Sequence, residues 1–178
     1  MNYLCNILDF AGIFAGIGAI AVFISLKANH DWNRRKAALE LVSSWSSTTL
    51  EHRKAIEKAL PGIFDSDNRS QEVVEISMKR ATEIYLCTHE AVEDWELRFH
   101  IVELLNYFER LSLAYLHKVG DNKILDIAFK SPLIRWHKIL NPYINIVLER
   151  RGYDAWSPFT DLVNHWTKVK VKFRIPTA

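Results

Sequence analysis

Six side chains in the middle of the chain, His89, Glu93, Glu96, His100, Glu103 and Tyr107, follow one another at spacings of four, three, four, three and four residues. On a helix that spacing puts them on one face. Imidazole and carboxylate groups on one stripe are ligand types for a divalent metal, as in the paired Glu-x-x-His helices of di-iron bundles. This chain does not repeat the motif on a second helix. His100 and Glu103 come in the reverse order, and the run beginning at His89 places Glu93 where a zincin has its second histidine. We therefore expect no metal site and no cofactor, and read the stripe as a solvated acidic face. From Ser70 to Arg110 there are nine acids and four bases, a balance that suits a basic protein partner. Glu93, Glu96, His100, Glu103, Asn106 and Glu109 are the candidate binding residues of that face.

A second grouping, Arg110-Leu-Ser-Leu-Ala-Tyr-Leu-His117, separates an arginine and a histidine by six residues near the end of a helix. The spacing resembles the motif of the all-helical HEPN ribonucleases. The resemblance implies a metal-independent ribonuclease in which His117 acts as general acid/base or activates a 2′-hydroxyl and Arg110 stabilises phosphate. Leu111 stands where that family usually has a polar residue, and a structural role is expected for both side chains. No Ser/His/Asp or Cys/His order marks nucleophilic catalysis. The expected protein is a non-enzymatic binder, with the ribonuclease as the alternative.

These faces must be carried by helices, and the first helical segment is apolar. Phe10 to Leu26 is an uncharged run of 17 residues, about 26 Å of helix against a bilayer core of roughly 30 Å. Tyr3, Leu4, Cys5, Ile7 and Leu8 extend it, leaving Asn6 and Asp9 near the headgroups. No Lys or Arg precedes the run and Ala19-Ile20-Ala21 lies inside it, which favours a retained transmembrane anchor over a cleaved signal peptide. Lys27, Arg34, Arg35 and Lys36 follow, with Asp31 alone opposing them. By the positive-inside rule the N-terminus then lies outside and the remainder in the cytoplasm, at the inner membrane. The four cations would meet anionic lipid headgroups of that bilayer. Cys87 would be a free thiol in a reducing compartment. Gly12 and Gly16, with Ala11, Ala15 and Ala19, form a small-residue stripe on which a second copy could pack. A homo-oligomer, and through it a membrane-perturbing effector, is the third alternative.

The rest of the 178-residue chain is 152 residues after Leu26, the size of one domain. With 49% hydrophobic and 12% aromatic residues and only two cysteines, disorder and a disulfide framework are excluded. The 23 basic against 21 acidic residues give no global field, so nucleic acid is not an expected partner. Pro61-Gly62, Gly120-Asp121, Ser131-Pro132, Gly152 and Ser157-Pro158 punctuate segments of helical period. The pattern predicts an all-α fold, an N-terminal transmembrane helix followed by an antiparallel helical bundle. The organisation is 1–28 anchor, 29–168 cytoplasmic bundle and 169–178 basic tail. Helices are expected from about 31 to 46, 49 to 60, 70 to 88, 94 to 119, 121 to 129, 132 to 151 and 158 to 168, with Pro142 kinking the sixth. No Gly or Pro lies between Ser70 and Val119, so one long helix there is the alternative to the break between Thr88 and Asp94. The stripes Val74/Met78/Ala81/Tyr85, Leu133/Trp136/Leu140/Tyr143/Val147 and Phe159/Leu162/Val163/Trp166 supply core faces. Val169 to Ile175 alternates apolar and basic residues at strand period.

An apolar N-terminal helix, Arg34-Arg35-Lys36-Ala37 opening the next segment, Leu105-Asn106-Tyr107-Phe108-Glu109 in the middle, and later Trp-rich and aromatic helices together resemble the bacterial and phage family called domain of unknown function 4760. The resemblance implies a one-pass membrane protein with a helical cytoplasmic domain, and suggests phage exclusion or defence as its context. It implies no activity and no catalytic residue.

Overall fold

The computed structural model describes residues 2–61, 74–88 and 91–168, with backbone alone for residues 2–20. The described residues are all-α and form five helices: α1 Asn2–Ala59, α2 Met78–Leu86, α3 Val92–Leu116, α4 Asn122–Arg151 and α5 Ser157–Lys168. No strand occurs among the described residues. The apolar run of the sequence is the N-terminal part of α1, and its side chains up to Ile20 lie outside the described residues. Among the described residues no helix is long and apolar enough to cross a membrane. Gly12, Gly16 and Cys5 fall within the undescribed side chains, and the alternating tail 169–175 lies outside the described residues altogether.

Three contacts fix the packing of α1 on α3. Arg34 meets Gly120, Ser44 meets Tyr107 and His52 meets His100, so the two run antiparallel. Helix α5 lies along α3 in the same direction, since Phe159 meets Phe108 and Trp166 meets Tyr115. Helix α4 runs the opposite way, with Asp126 at Trp166 and His137 at Phe159. Short α2 rests on α4 and α3 through Tyr85 against Tyr143 and Arg80 paired with Asp94. Phe108 sits at the centre, fully buried, with ring contacts to Trp45 of α1, Trp136 of α4 and Phe159 of α5.

The expected breaks between the apolar helix and residue 31 and between Ser46 and Thr49 are both absent, and the three expected helices are one, α1. The hydroxyl-rich stretch turns its side chains back on its own backbone: Ser43 donates to the Glu40 carbonyl at 2.9 Å, Ser44 to Leu41 at 3.0 Å and Ser47 to Ser44 at 3.2 Å. Thr49 donates to Trp45 in the same way. Hydroxyls satisfied like this no longer compete with the helix for its amides.

The break at Ser131-Pro132 is likewise overturned, because α4 runs through both Pro132 and Pro142. Each proline removes one ladder bond and costs about 3 kcal/mol in a helix interior. Eleven buried residues on α4 outweigh this, each large apolar side chain contributing roughly 1.5–3 kcal/mol when withdrawn from water. The helix ends where Gly152, at φ 75°, takes the left-handed conformation and donates to Leu148 at 2.8 Å.

The break between Thr88 and Asp94 is present, separating α2 from α3. Helix α2 starts later than expected, at Met78, because Ser77 caps it by accepting from the Arg80 amide at 3.2 Å. Val74 and Met78 are consequently exposed, and the core face of α2 is Ala81 and Ile84. The two later stripes, on α4 and α5, are buried throughout.

Candidate functional site

The topology gathers chemistry at the two ends of the bundle. At one end the α3–α4 turn closes on α1. Arg34 donates from Nε and Nη2 to the Gly120 carbonyl at 3.3 and 3.1 Å, and the Asp121 amide donates to the Arg34 carbonyl at 3.0 Å. Asp121 caps α4 by accepting from the Lys123 amide at 2.9 Å and lies 3.7 Å from Arg35 Nε. N-terminal to this clasp, α1 carries Val22, Phe23, Ile24, Leu26 and Trp32 as exposed apolar side chains. Lys27, Lys36, Lys118, Lys123 and Lys168 are exposed here as well. Lys168 belongs to this end because α5 finishes beside Tyr115 and Asp126, to which Trp166 donates from Nε1 at 3.3 and 2.7 Å.

About 27 Å along α1 from Arg34, at 1.5 Å per residue, the opposite end carries the histidines. His52 Nδ1 and His100 Nδ1 are 2.8 Å apart across the α1–α3 seam. One ring must donate its N–H and the other accept. Burial, and then the neighbouring His52, hold the His100 imidazole below its ordinary range, against the opposing pull of Glu51 and Glu96. Phe99 lies edge-on to both rings, at 6.0 and 5.6 Å, and is 48% exposed. Trp95 stacks on Phe99 at 6.4 Å and is 41% exposed. Glu93 and Glu96 are exposed on the same first turns of α3.

Between the ends, α1 and α4 flank an open cavity of about 290 Å³ lined by Trp45, Arg53, Glu57, Ser131, Pro132, Arg135 and Trp136. The Arg53 guanidinium lies 4.4 Å over the Trp45 ring and donates from Nε to Thr49 Oγ1 at 3.1 Å. This arginine therefore acts within α1 as a cation on an aromatic face.

The acidic stripe of the sequence is divided by this packing. His100 faces α1, and Tyr107, whose phenol is pushed up by burial, donates to the Leu41 carbonyl at 2.9 Å beside Ser44 Oγ at 3.2 Å. Asn106 Oδ1 accepts from Trp156 Nε1 at 3.1 Å, tying α3 to the segment before α5. Glu103 and Glu109 are half-buried, and His89 lies outside the described residues. Among the described residues no three His, Cys, Asp or Glu side chains converge on a point that could hold a metal. Arg110 and His117 are both exposed, two helical turns apart on α3. Arg110 lies 6.0 Å from the Tyr107 ring, and His117 is the C-cap of α3. Neither lines the α1–α4 cavity. His52, absent from the sequence reading, enters only by contact. Its residue type was visible, but nothing local pairs it with a residue 48 positions away.

The fold and its two polar ends define a single helical domain built on one long leading helix. Its sequence matches the model of the family described as Domain of unknown function (DUF4760) over residues 6–166, and the chain belongs to that family. Comparison with curated proteins and with solved structures gives no match.

Proposed function

We propose that this protein is a single-pass, membrane-anchored, non-enzymatic interaction protein of the inner membrane, with its N-terminus outside and its helical bundle in the cytoplasm. The observation that carries the reading is the coincidence at one end of the bundle. There α1 leaves the other helices with Val22, Phe23, Ile24 and Leu26 exposed. Lys27, Lys36, Lys118, Lys123 and Lys168 are gathered at the same end. Cations next to an apolar helix suit an anionic lipid surface, where each contributes about 1 kcal/mol. Trp32, 65% exposed one turn beyond Lys27, has the amphipathic ring favoured at a membrane–water boundary. The opposite end, with Trp95 and Phe99 beside Glu93 and Glu96 on the first turns of α3, is then presented away from the bilayer. It suits a basic protein segment that carries apolar side chains.

Labelling of single cysteines from outside intact cells tests the topology, in a Cys5→Ser, Cys87→Ser background. A membrane-impermeant maleimide is expected to modify Asn2→Cys and to leave Lys168→Cys untouched. The reverse pattern overturns the orientation, and release of the protein by alkaline carbonate overturns the anchor. For the partner face, a photo-crosslinker at Phe99 is expected to give a discrete adduct that Glu93→Lys, Glu96→Lys abolishes. An adduct indifferent to that charge reversal refutes the assigned chemistry.

A further inference from the structure

We propose that His52 and His100 form a two-imidazole site for a divalent transition-metal ion that bridges α1 and α3. The sequence supplies histidine and carboxylates on one helix only, which is half a site. Folding brings the missing nitrogen from α1, with Nδ1 of His52 2.8 Å from Nδ1 of His100. Two nitrogens each about 2.05 Å from one ion stand roughly 2.9 Å apart at cis octahedral positions and about 3.3 Å apart in a tetrahedron. The nitrogen–nitrogen separation is therefore within about 0.5 Å of the chelating value, and the rings must turn out of their hydrogen bond for both lone pairs to meet one ion. Both rings are half-buried rather than sealed, so an ion can reach them. Their ring centroids lie 5.1 Å apart at an interplanar angle of 54°, so the rings are tilted rather than stacked.

The proton balance is simple. In the metal-free pair one Nδ1 carries hydrogen, and binding moves that hydrogen to Nε2 of the same ring, leaving two neutral imidazoles with free Nδ1 lone pairs and no net proton release. The charges facing the pair come from both helices that form it. Glu51 immediately precedes His52 on α1, and Glu96 precedes His100 by one turn on α3; both favour positive charge at His100. No third protein ligand converges there among the described residues, so the ion keeps solvent at its other positions and the site is open and exchangeable. Imidazole donors select copper, nickel or zinc over magnesium or calcium, with copper(II) bound most strongly. An ion held by both rings binds only the packed α1–α3 arrangement and so stabilises the fold. The proposal is independent of the membrane reading.

Full-length protein in detergent micelles, titrated with copper(II) and followed by electron paramagnetic resonance, tests it. The expected result is one ion per chain with two equatorial imidazole nitrogens, and a rise in thermal midpoint on adding nickel(II). His52→Asn and His100→Asn place an amide near Nδ1, keep a hydrogen bond across the seam and remove a ligand. Each is expected to weaken the apparent affinity by at least about tenfold, since even outer-shell changes at metal sites cost that much. The proposal is overturned if either variant binds as tightly as the unaltered chain, which would place the ion at exposed histidines such as His30 or His165. It is equally overturned if no saturable one-to-one binding occurs. Should a variant fold poorly, the nitrogen count in the unaltered protein decides: two support the site, one or none refutes it.

Discussion

Gly120→Ala tests the clasp through which the α3–α4 turn holds α1. A Cβ at Gly120 would stand 2.9 Å from Leu125 Cδ1 and 3.5 Å from Ala38 Cβ. The second distance is ordinary contact, and the first is closer than two carbon atoms tolerate. Leu125 is fully buried, so its methyl cannot swing into solvent and the strain must spread into the turn or into α4. Overpacking of this kind costs about 1–3 kcal/mol. Alanine also restricts the unfolded chain, which returns roughly 0.4–1 kcal/mol. The expected net loss is therefore about 0.5–2 kcal/mol, the small figure applying if Leu125 finds another rotamer. Urea unfolding of the full chain in micelles, followed by tryptophan fluorescence, gives the number, and a double-mutant cycle identifies its cause. Leu125→Ala alone should cost about 2–5 kcal/mol by leaving a cavity. Combined with Gly120→Ala, the total should fall short of the sum by about 1–3 kcal/mol, because the methyl that the new Cβ strikes is gone. Strict additivity would refute the close approach to Leu125 as the reason glycine stands at this position.

Other outcomes follow from single contacts. Asn106→Leu leaves the Trp156 indole N–H without its acceptor, and loss of such a partner should lower stability by about 1–3 kcal/mol in the same urea assay. Arg34→Ala removes two donors from the Gly120 carbonyl. Amide hydrogen exchange in the 117–121 turn should then accelerate, with exchange near Phe108 unchanged. For pH, burial depresses the His137 imidazole, with Asp154 pulling the other way. The unfolded chain therefore binds the proton more readily. Stability from this group is present above the ordinary imidazole value of about 6.5 and is lost as pH falls through the lower folded value. His137→Leu should flatten the pH dependence of the urea midpoint between about pH 6.5 and the lower folded value; unchanged slopes would exclude His137 as its source.

Helical periodicity by itself determined that the described chain folds as helices and, on α4 and α5, which face is apolar. The stripes on α4 and α5 are local properties of side-chain order, and every member of them is buried. Strong local punctuation was legible for the same reason: Gly120-Asp121, Gly152 and Ser157 act on the residues next to them, through a cap, a left-handed turn and a helix start. Where the local signal opposed the packing, sequence alone could not weigh the two. Ser46–Thr49 and Ser131-Pro132 read as breaks, yet the helices continue there. At the first site the hydroxyls bond backward, and at the second the burial along α4 exceeds the cost of a missing amide. Pairings across the bundle were beyond sequence for a further reason. His52 with His100 and Arg34 with Gly120 join residues 48 and 86 positions apart, and only the antiparallel register of α1 on α3 decides which side chains meet. The residue types for each end of the molecule are written in the sequence, but which of them share an end is set by packing, because a contact energy between distant residues exists only once the helices have docked.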